Sequence, residues 1–181
     1  MVTIRTTTFI DAPVERCYKL SVSIDLHLEA AADTGEEAID GVTSGLIGAG
    51  ERVTWRGRHF GLKLKHESLI AMWRPYSHFR DVMIAGRFKS FEHDHYFAAM
   101  NDGTRLRDEL RFTVSGPLTG LKESLLRKHM TKFLQKRNAH IKRVAESEEW
   151  HRYLDGQPEL DMRVFQAGIV KTVDGRVYAG R

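Results

Sequence analysis

Cysteine is nearly missing. Cys17 stands alone among 181 residues, which excludes an internal disulfide framework. A reducing cytosol, hence a cytoplasmic location, is the expected compartment. Proline is almost as sparse. Pro13, Pro75, Pro117 and Pro158 each fall where an element starts or stops. No apolar run approaches the roughly 20 residues that a membrane-spanning helix needs. The first residues carry no basic-then-apolar leader, so none is expected. Charge excess is small as well. A net +4 and a pI near 9.3 permit an acidic partner without demanding one. With 41% apolar residues, the length suits one domain with a real core plus an appendage.

What is present is organised around residues 117–146. Leu126, Met130, Phe133, Leu134, Ile141 and Val144 fall on one stripe at 3.6-residue spacing, which predicts a long amphipathic helix. About 30 residues of helix span roughly 45 Å. Gly116-Pro117 suits its start. Lys122, Lys128, Lys132, Lys136 and Lys142 mark a solvated face. Arg137 breaks the stripe, where a charge is costly unless paired. Asp108, ahead of Asp81, is its expected partner.

Upstream, Thr3–Ile10 reads as a strand. Two short helices follow, one from Asp11-Ala12-Pro13 to about Leu20 and one over Asp25–Ala32, with Gly35 to stop it. About six antiparallel strands then run to Ser115. Gly57 to Gly61 reads as a turn between two of them. In the last hairpin, Asp102-Gly103 as a two-residue turn places His93 opposite Phe112, His95 opposite Leu110 and Phe97 opposite Asp108. Asp94 and Arg111 then pair weakly across the strands on the water side. A different turn would shift that register but not the sorting of each strand into faces. The core face therefore carries His93, His95 and Asp108.

Ile10-Asp11-Ala12-Pro13, Phe79-Arg80-Asp81, Gly86-Arg87-Phe88, the run Phe91 to Phe97, the run Gly103 to Glu109, Gly116-Pro117-Leu118-Thr119-Gly120 and Arg137 together resemble the helix-grip (SRPBCC) superfamily. That superfamily includes START lipid-transfer domains, pollen-allergen-like proteins and the aromatase/cyclases of polyketide synthesis. The resemblance is sharpest to its bacterial members of unassigned function. It implies an α+β, helix-grip fold: a curved antiparallel sheet wrapped around a long C-terminal helix, with two short helices after the first strand. It also implies a cavity between sheet and helix for a hydrophobic small molecule. Residues 1–146 make that ligand-binding domain. Residues 147–181 form an extension, a short helix plus a hairpin at Val173-Asp174-Gly175-Arg176.

The expected function is carriage or sensing of a hydrophobic or amphipathic molecule, without established catalysis. Phe91, Phe97, Leu110, Phe112, Met130, Phe133 and Leu134 would supply apolar wall, and His93, His95, Asp108 and Arg137 would orient a polar end. The alternative is a cyclase or dehydratase acting on a polyketide-like or aromatic substrate, with His/Asp acid–base chemistry. Two histidines and a carboxylate could hold iron or zinc. A hydrogen-bonded polar cluster is the expectation instead, with no metal and no cofactor. Gly45–Gly50 has the wrong spacing for a phosphate loop. The basic helix face lacks an aromatic platform, so nucleic acid is not expected. Transient contact with a membrane surface is expected, as is docking of the apolar extension, on its own domain or across a homodimer.

Overall fold

The computed structural model describes residues 1–59, 61–116, 119–167, 170–173 and 176–179. The chain runs β1 (Val2–Ile10), α1 (Val14–Ser21), α2 (Ile24–Ala30), β2 (Glu37–Gly41), β3 (Arg52–His59), β4 (Leu62–Arg74), β5 (His78–Ala85), β6 (Ser90–Met100), β7 (Gly103–Thr113), α3 (Thr119–Ala145), α4 (His151–Leu154), β8 (Phe165–Gln166), β9 (Val170–Val173) and β10 (Arg176–Ala179). The helix start at Pro117-Leu118 and the turn residues Asp174 and Gly175 lie outside the described residues.

Strands order as β1-β7-β6-β5-β4-β3-β2 in one open antiparallel sheet, with β8 added beside β4. The curved sheet grips α3, the helix-grip arrangement. The stripe on α3 does face inward: Leu134, Ile141 and Val144 are buried, and Leu126, Met130 and Phe133 are half-buried. Leu121 and Leu125, to one side of the stripe, stay exposed.

A pattern of period two decides which strand residues turn inward. On β4 it changes phase. Pairing with β5 shifts register between Ile70 and Met72, and this bulge sends Trp73 rather than Met72 into the core. Trp73 meets Tyr18 of α1 edge to face, with centroids 5.2 Å apart, and Phe79 and Phe97 reach the same ring at 5.5 and 5.1 Å. Tyr18 is therefore the hub that fixes α1 over the sheet.

Two sequence readings are corrected. Gly57 lies inside β3 rather than in a turn, buried against Glu36. The β6–β7 turn is Asn101-Asp102, so Met100 pairs with Gly103, His95 with Asp108, His93 with Leu110 and Phe91 with Phe112. Gly103 is dictated by its neighbour rather than by the turn. A side chain there would come within 2.2 Å of the Ile10 carbonyl oxygen on β1.

The extension folds back on the first 146 residues. Trp150 and Leu154 pack against the main core, and Tyr153 and Leu160 are buried in it. Trp73 Nε1 donates to the Asp161 carbonyl at 2.8 Å. β3 ends its pairing with β4 at Leu69, and β8 takes up the same edge at Met72 and Trp73. A bare strand edge is thereby covered.

Candidate functional site

Register brings the polar residues together. Thr6, Asp108, His95 and Phe79 stand opposite one another across β1, β7, β6 and β5. One step along lie Leu110, His93 and Asp81. The two imidazoles therefore sit between two carboxylates, one on each neighbouring strand. Their ring centroids are 3.8 Å apart, and Phe79 stacks on His95 at 4.1 Å.

His93 Nε2 donates to Asp108 Oδ1 at 3.0 Å, and His95 Nε2 donates to Asp81 Oδ2 at 3.1 Å. The donor roles follow from the network. His95 Nδ1 lies 2.9 Å from Asp108 Oδ1, yet it is not aligned for a hydrogen bond and has no partner among the described residues. His93 Nδ1 looks toward Asp81 at 3.9 Å. Helix α3 closes the cluster from above. Asn138 Nδ2 donates to Asp108 Oδ2 at 2.6 Å, and Thr6 Oγ1 donates to the same oxygen at 3.2 Å.

Arg137 approaches Asp108 at 3.7 Å as an ion pair. Its hydrogen bonds go elsewhere, to the Ser21 carbonyl at 3.0 Å and to Asn138 Oδ1 at 3.3 Å. The expected Arg137–Asp108 pair is thus present as charge proximity, while Asn138 makes the directed contact. Burial pushes the Asp108 carboxyl up, but the His93 hydrogen bond and the two imidazoles beside it prevail and hold it well below the usual carboxylate range. Burial, with His95 beside it, pushes His93 down and favours the neutral ring. Burial also pushes the Arg137 guanidinium down, opposed by the Asp108 and Asp81 charges.

The cluster forms one wall of a cavity of about 280 Å³ between the sheet and α3. That volume is near the lower end for small-molecule sites, roughly 300 Å³. Of the residues expected in the wall, Phe91, His93, His95, Met130, Phe133, Leu134 and Arg137 line it. Phe97, Leu110, Phe112 and Asp108 do not. Phe97 is taken by the Tyr18 hub. Leu110 and Phe112 pack with Val2, Ile4 and Leu134 where α3 lies directly on β1 and β7. Asp108 stands behind the two imidazoles, fully buried.

Sequence reasoning left out Val53 and Trp55 on β3, Ile47 in the loop before it, and His27. The alternation of Val53 and Trp55 marks that face as apolar. Nothing local marks Ile47. Asp81 also faces inward and lines the cavity.

On the other sheet face, Asp94 is not a weak exposed partner of Arg111. It is fully buried, with Arg111 Nη2 at 2.7 Å, Arg80 Nε at 2.8 Å and His78 Nε2 at 2.7 Å. Burial pushes its carboxyl up, but the hydrogen bonds from His78 and Arg80 prevail and hold it far below the ordinary range.

No family model matches the chain, and no curated protein matches it either. Solved structures do. The di-domain ARO/CYC StfQ of the steffimycin biosynthetic pathway superposes with a TM-score of 0.66 at 14% identity, over 82% of this chain and 51% of that one. A Thermus thermophilus protein gives 0.63 at 21% identity, over 81% of this chain and 100% of that one. A START superfamily protein from Mycobacterium smegmatis gives 0.60 at 12% identity, over 80% and 97%. At these identities the likeness is one of fold, and the fold is the helix-grip fold shared by SRPBCC-type proteins.

Proposed function

We propose that the protein binds a hydrophobic or amphipathic small molecule between the sheet and α3, as a carrier or sensor. The observation that carries this reading is the cavity's division into two chemistries. Phe88, Phe91, Met130, Phe133 and Leu134 make an apolar wall, while Asp81, His93, His95 and Arg137 gather at one pole. An apolar body would leave water at the first, and a polar end would be fixed at the second. START-superfamily and ARO/CYC neighbours share the fold, which agrees with this reading. Organic extraction and native mass spectrometry of the purified chain should reveal a bound molecule. A long-chain fatty acid should quench Trp55 fluorescence saturably at one per chain, and Met130→Trp, which fills the cavity, should block it. No cargo and no saturable quenching would discard the reading.

A cyclase or dehydratase is the second reading. The His93–Asp108 hydrogen bond at 3.0 Å favours it, because a carboxylate-oriented imidazole facing a cavity can move a proton. Turnover of a polyketide-like ketone that disappears in His93→Gln would select it. Exposed Leu121 and Leu125 stand on the turns just before the cavity-lining Leu126, which fits transient membrane contact during loading. Vesicle co-sedimentation lost in Leu121→Ser/Leu125→Ser would support that part, and sedimentation unchanged in this double variant would remove it.

A further inference from the structure

We propose that Asp81, His93 and His95 bind a divalent transition-metal ion, with zinc or ferrous iron the best chemical match, and that Asp108 orients both imidazoles from behind. This places the ion at the polar pole of the ligand cavity and so deepens the reading above.

The donor set comes first. Two imidazole nitrogens and one carboxylate oxygen suit a borderline divalent ion, and three protein ligands leave positions open. One ligand atom from each of the three residues lies within 4.8 Å of the others, and all three residues line the cavity. An ion about 2.1 Å from each donor holds them at most about 4.2 Å apart. Asp81 Oδ2 is already 3.1 Å from His95 Nε2 and 3.9 Å from His93 Nδ1. Small ring rotations would close the rest.

The shell behind the donors comes second. A metal-binding histidine usually donates its other ring N–H to a carboxylate, which fixes its tautomer. His93 does so already, from Nε2 to Asp108 Oδ1, leaving Nδ1 turned toward Asp81. His95 has the same option. Its Nδ1 is 2.9 Å from that same oxygen but, among the described residues, is left without a hydrogen bond while Nε2 donates to Asp81. A small rotation of the ring with the His95 proton moved to Nδ1 would satisfy the orphaned atom against Asp108 and free Nε2 for an ion. An unsatisfied buried nitrogen is costly, so an ion would remove an existing defect. Charge also balances. Two carboxylates outweigh Arg137, and each imidazole would ligate through an unprotonated nitrogen.

The test uses the purified full chain, stripped with a chelator and titrated with Co²⁺. Expected is a d–d absorption band saturating at one ion per chain, displaced by Zn²⁺. Asp81→Asn and His93→Gln should abolish it. Asp108→Asn should weaken binding about 10–100-fold. His151→Ala, an exposed histidine outside the cavity, should change nothing. Thermal melts check that each variant folds. If the ligand variants do not fold, X-ray absorption on the Co²⁺-loaded wild type decides, and two imidazoles in its shell are required. No one-to-one band, a band intact in folded Asp81→Asn and His93→Gln, or fewer than two imidazoles overturns the proposal. Fatty-acid quenching is measured on the stripped protein. Its loss with metal binding intact would sink the cavity reading and leave the metal site standing.

Discussion

Asn138 on α3 donates to Asp108 on β7 at 2.6 Å, and both side chains are buried. This contact ties the helix to the sheet at the polar pole. Asn138→Ala would leave Asp108 Oδ2 with only the longer Thr6 contact. A hydrogen bond to a charged group contributes about 1.5–3 kcal/mol, and a loss of that size is expected in urea melts. Arg137→Met should cost about 3–5 kcal/mol, because it leaves a buried carboxylate uncompensated. Equal stability of both variants with the wild type would show that the pole does not hold the helix.

Tyr18 gives a prediction of opposite sign. Its hydroxyl is buried and without a hydrogen-bond partner among the described residues. Tyr18→Phe removes that polar atom and keeps the ring contacts, so its melting temperature should equal or exceed the wild type's. Tyr18→Ala should cost about 3–5 kcal/mol by emptying the hub. A Phe variant as damaged as the Ala variant would mean the hydroxyl is bonded.

The wall and the core should respond differently on α3. Leu134 is nearly fully buried, whereas Phe133 is half-buried and faces the cavity. Leu134→Ala should cost about 2–5 kcal/mol. Phe133→Ala should fall well below the about 3–5 kcal/mol of a packed phenylalanine and should weaken fatty-acid quenching instead. The reverse order of stabilities would place Phe133 in the packed core.

Acid stability should depend on Asp94. Its folded carboxyl is held below the ordinary range, whereas the unfolded one titrates near about 3.9. Below that pH the unfolded chain binds the extra proton, so stability falls as pH falls. The contribution is complete above about pH 5 and drops by at most about 1.4 kcal/mol per pH unit below it. Asp94→Asn should flatten melting temperature against pH between about 5 and 2. An unchanged slope would rule Asp94 out as its source.

A chain ending at Gly156 loses Leu160, β8 and the acceptor for Trp73 Nε1. The orphaned indole N–H alone should cost about 1–3 kcal/mol. Unchanged melting would mean the extension adds nothing to the fold.

The fold was legible because its signals are local and repeated. The α3 stripe and the alternation in β6 and β7 each decide a face without reference to distant residues. The site was half legible for the same reason. Alternation alone sends His93, His95 and Asp108 inward. Their pairing was not legible, since it depended on a turn that Gly103 appeared to mark. That glycine answers instead to the Ile10 carbonyl of β1, a long-range constraint. Asn138 escaped because it adjoins Arg137, whose charge drew the argument, although position 138 points closer to Asp108. Phe97 was expected to face a ligand because alternation cannot say whether an inward side chain meets a cavity or another ring.

The loop between β2 and β3 is stitched down on several sides. Ile24 N–H donates to the Gly45 carbonyl, Ile47 N–H to Val22, Gly45 N–H to Asp25, and Gly50 N–H to Ile70. Phe165 of the extension also reaches Gly50. Parting the cavity wall beside Ile47 would break all of these contacts together. Elsewhere Lys65, Arg87, Phe88, Leu126 and His129 frame the same space. For the ligand proposed above, entry beside Ile47 is therefore the costly route.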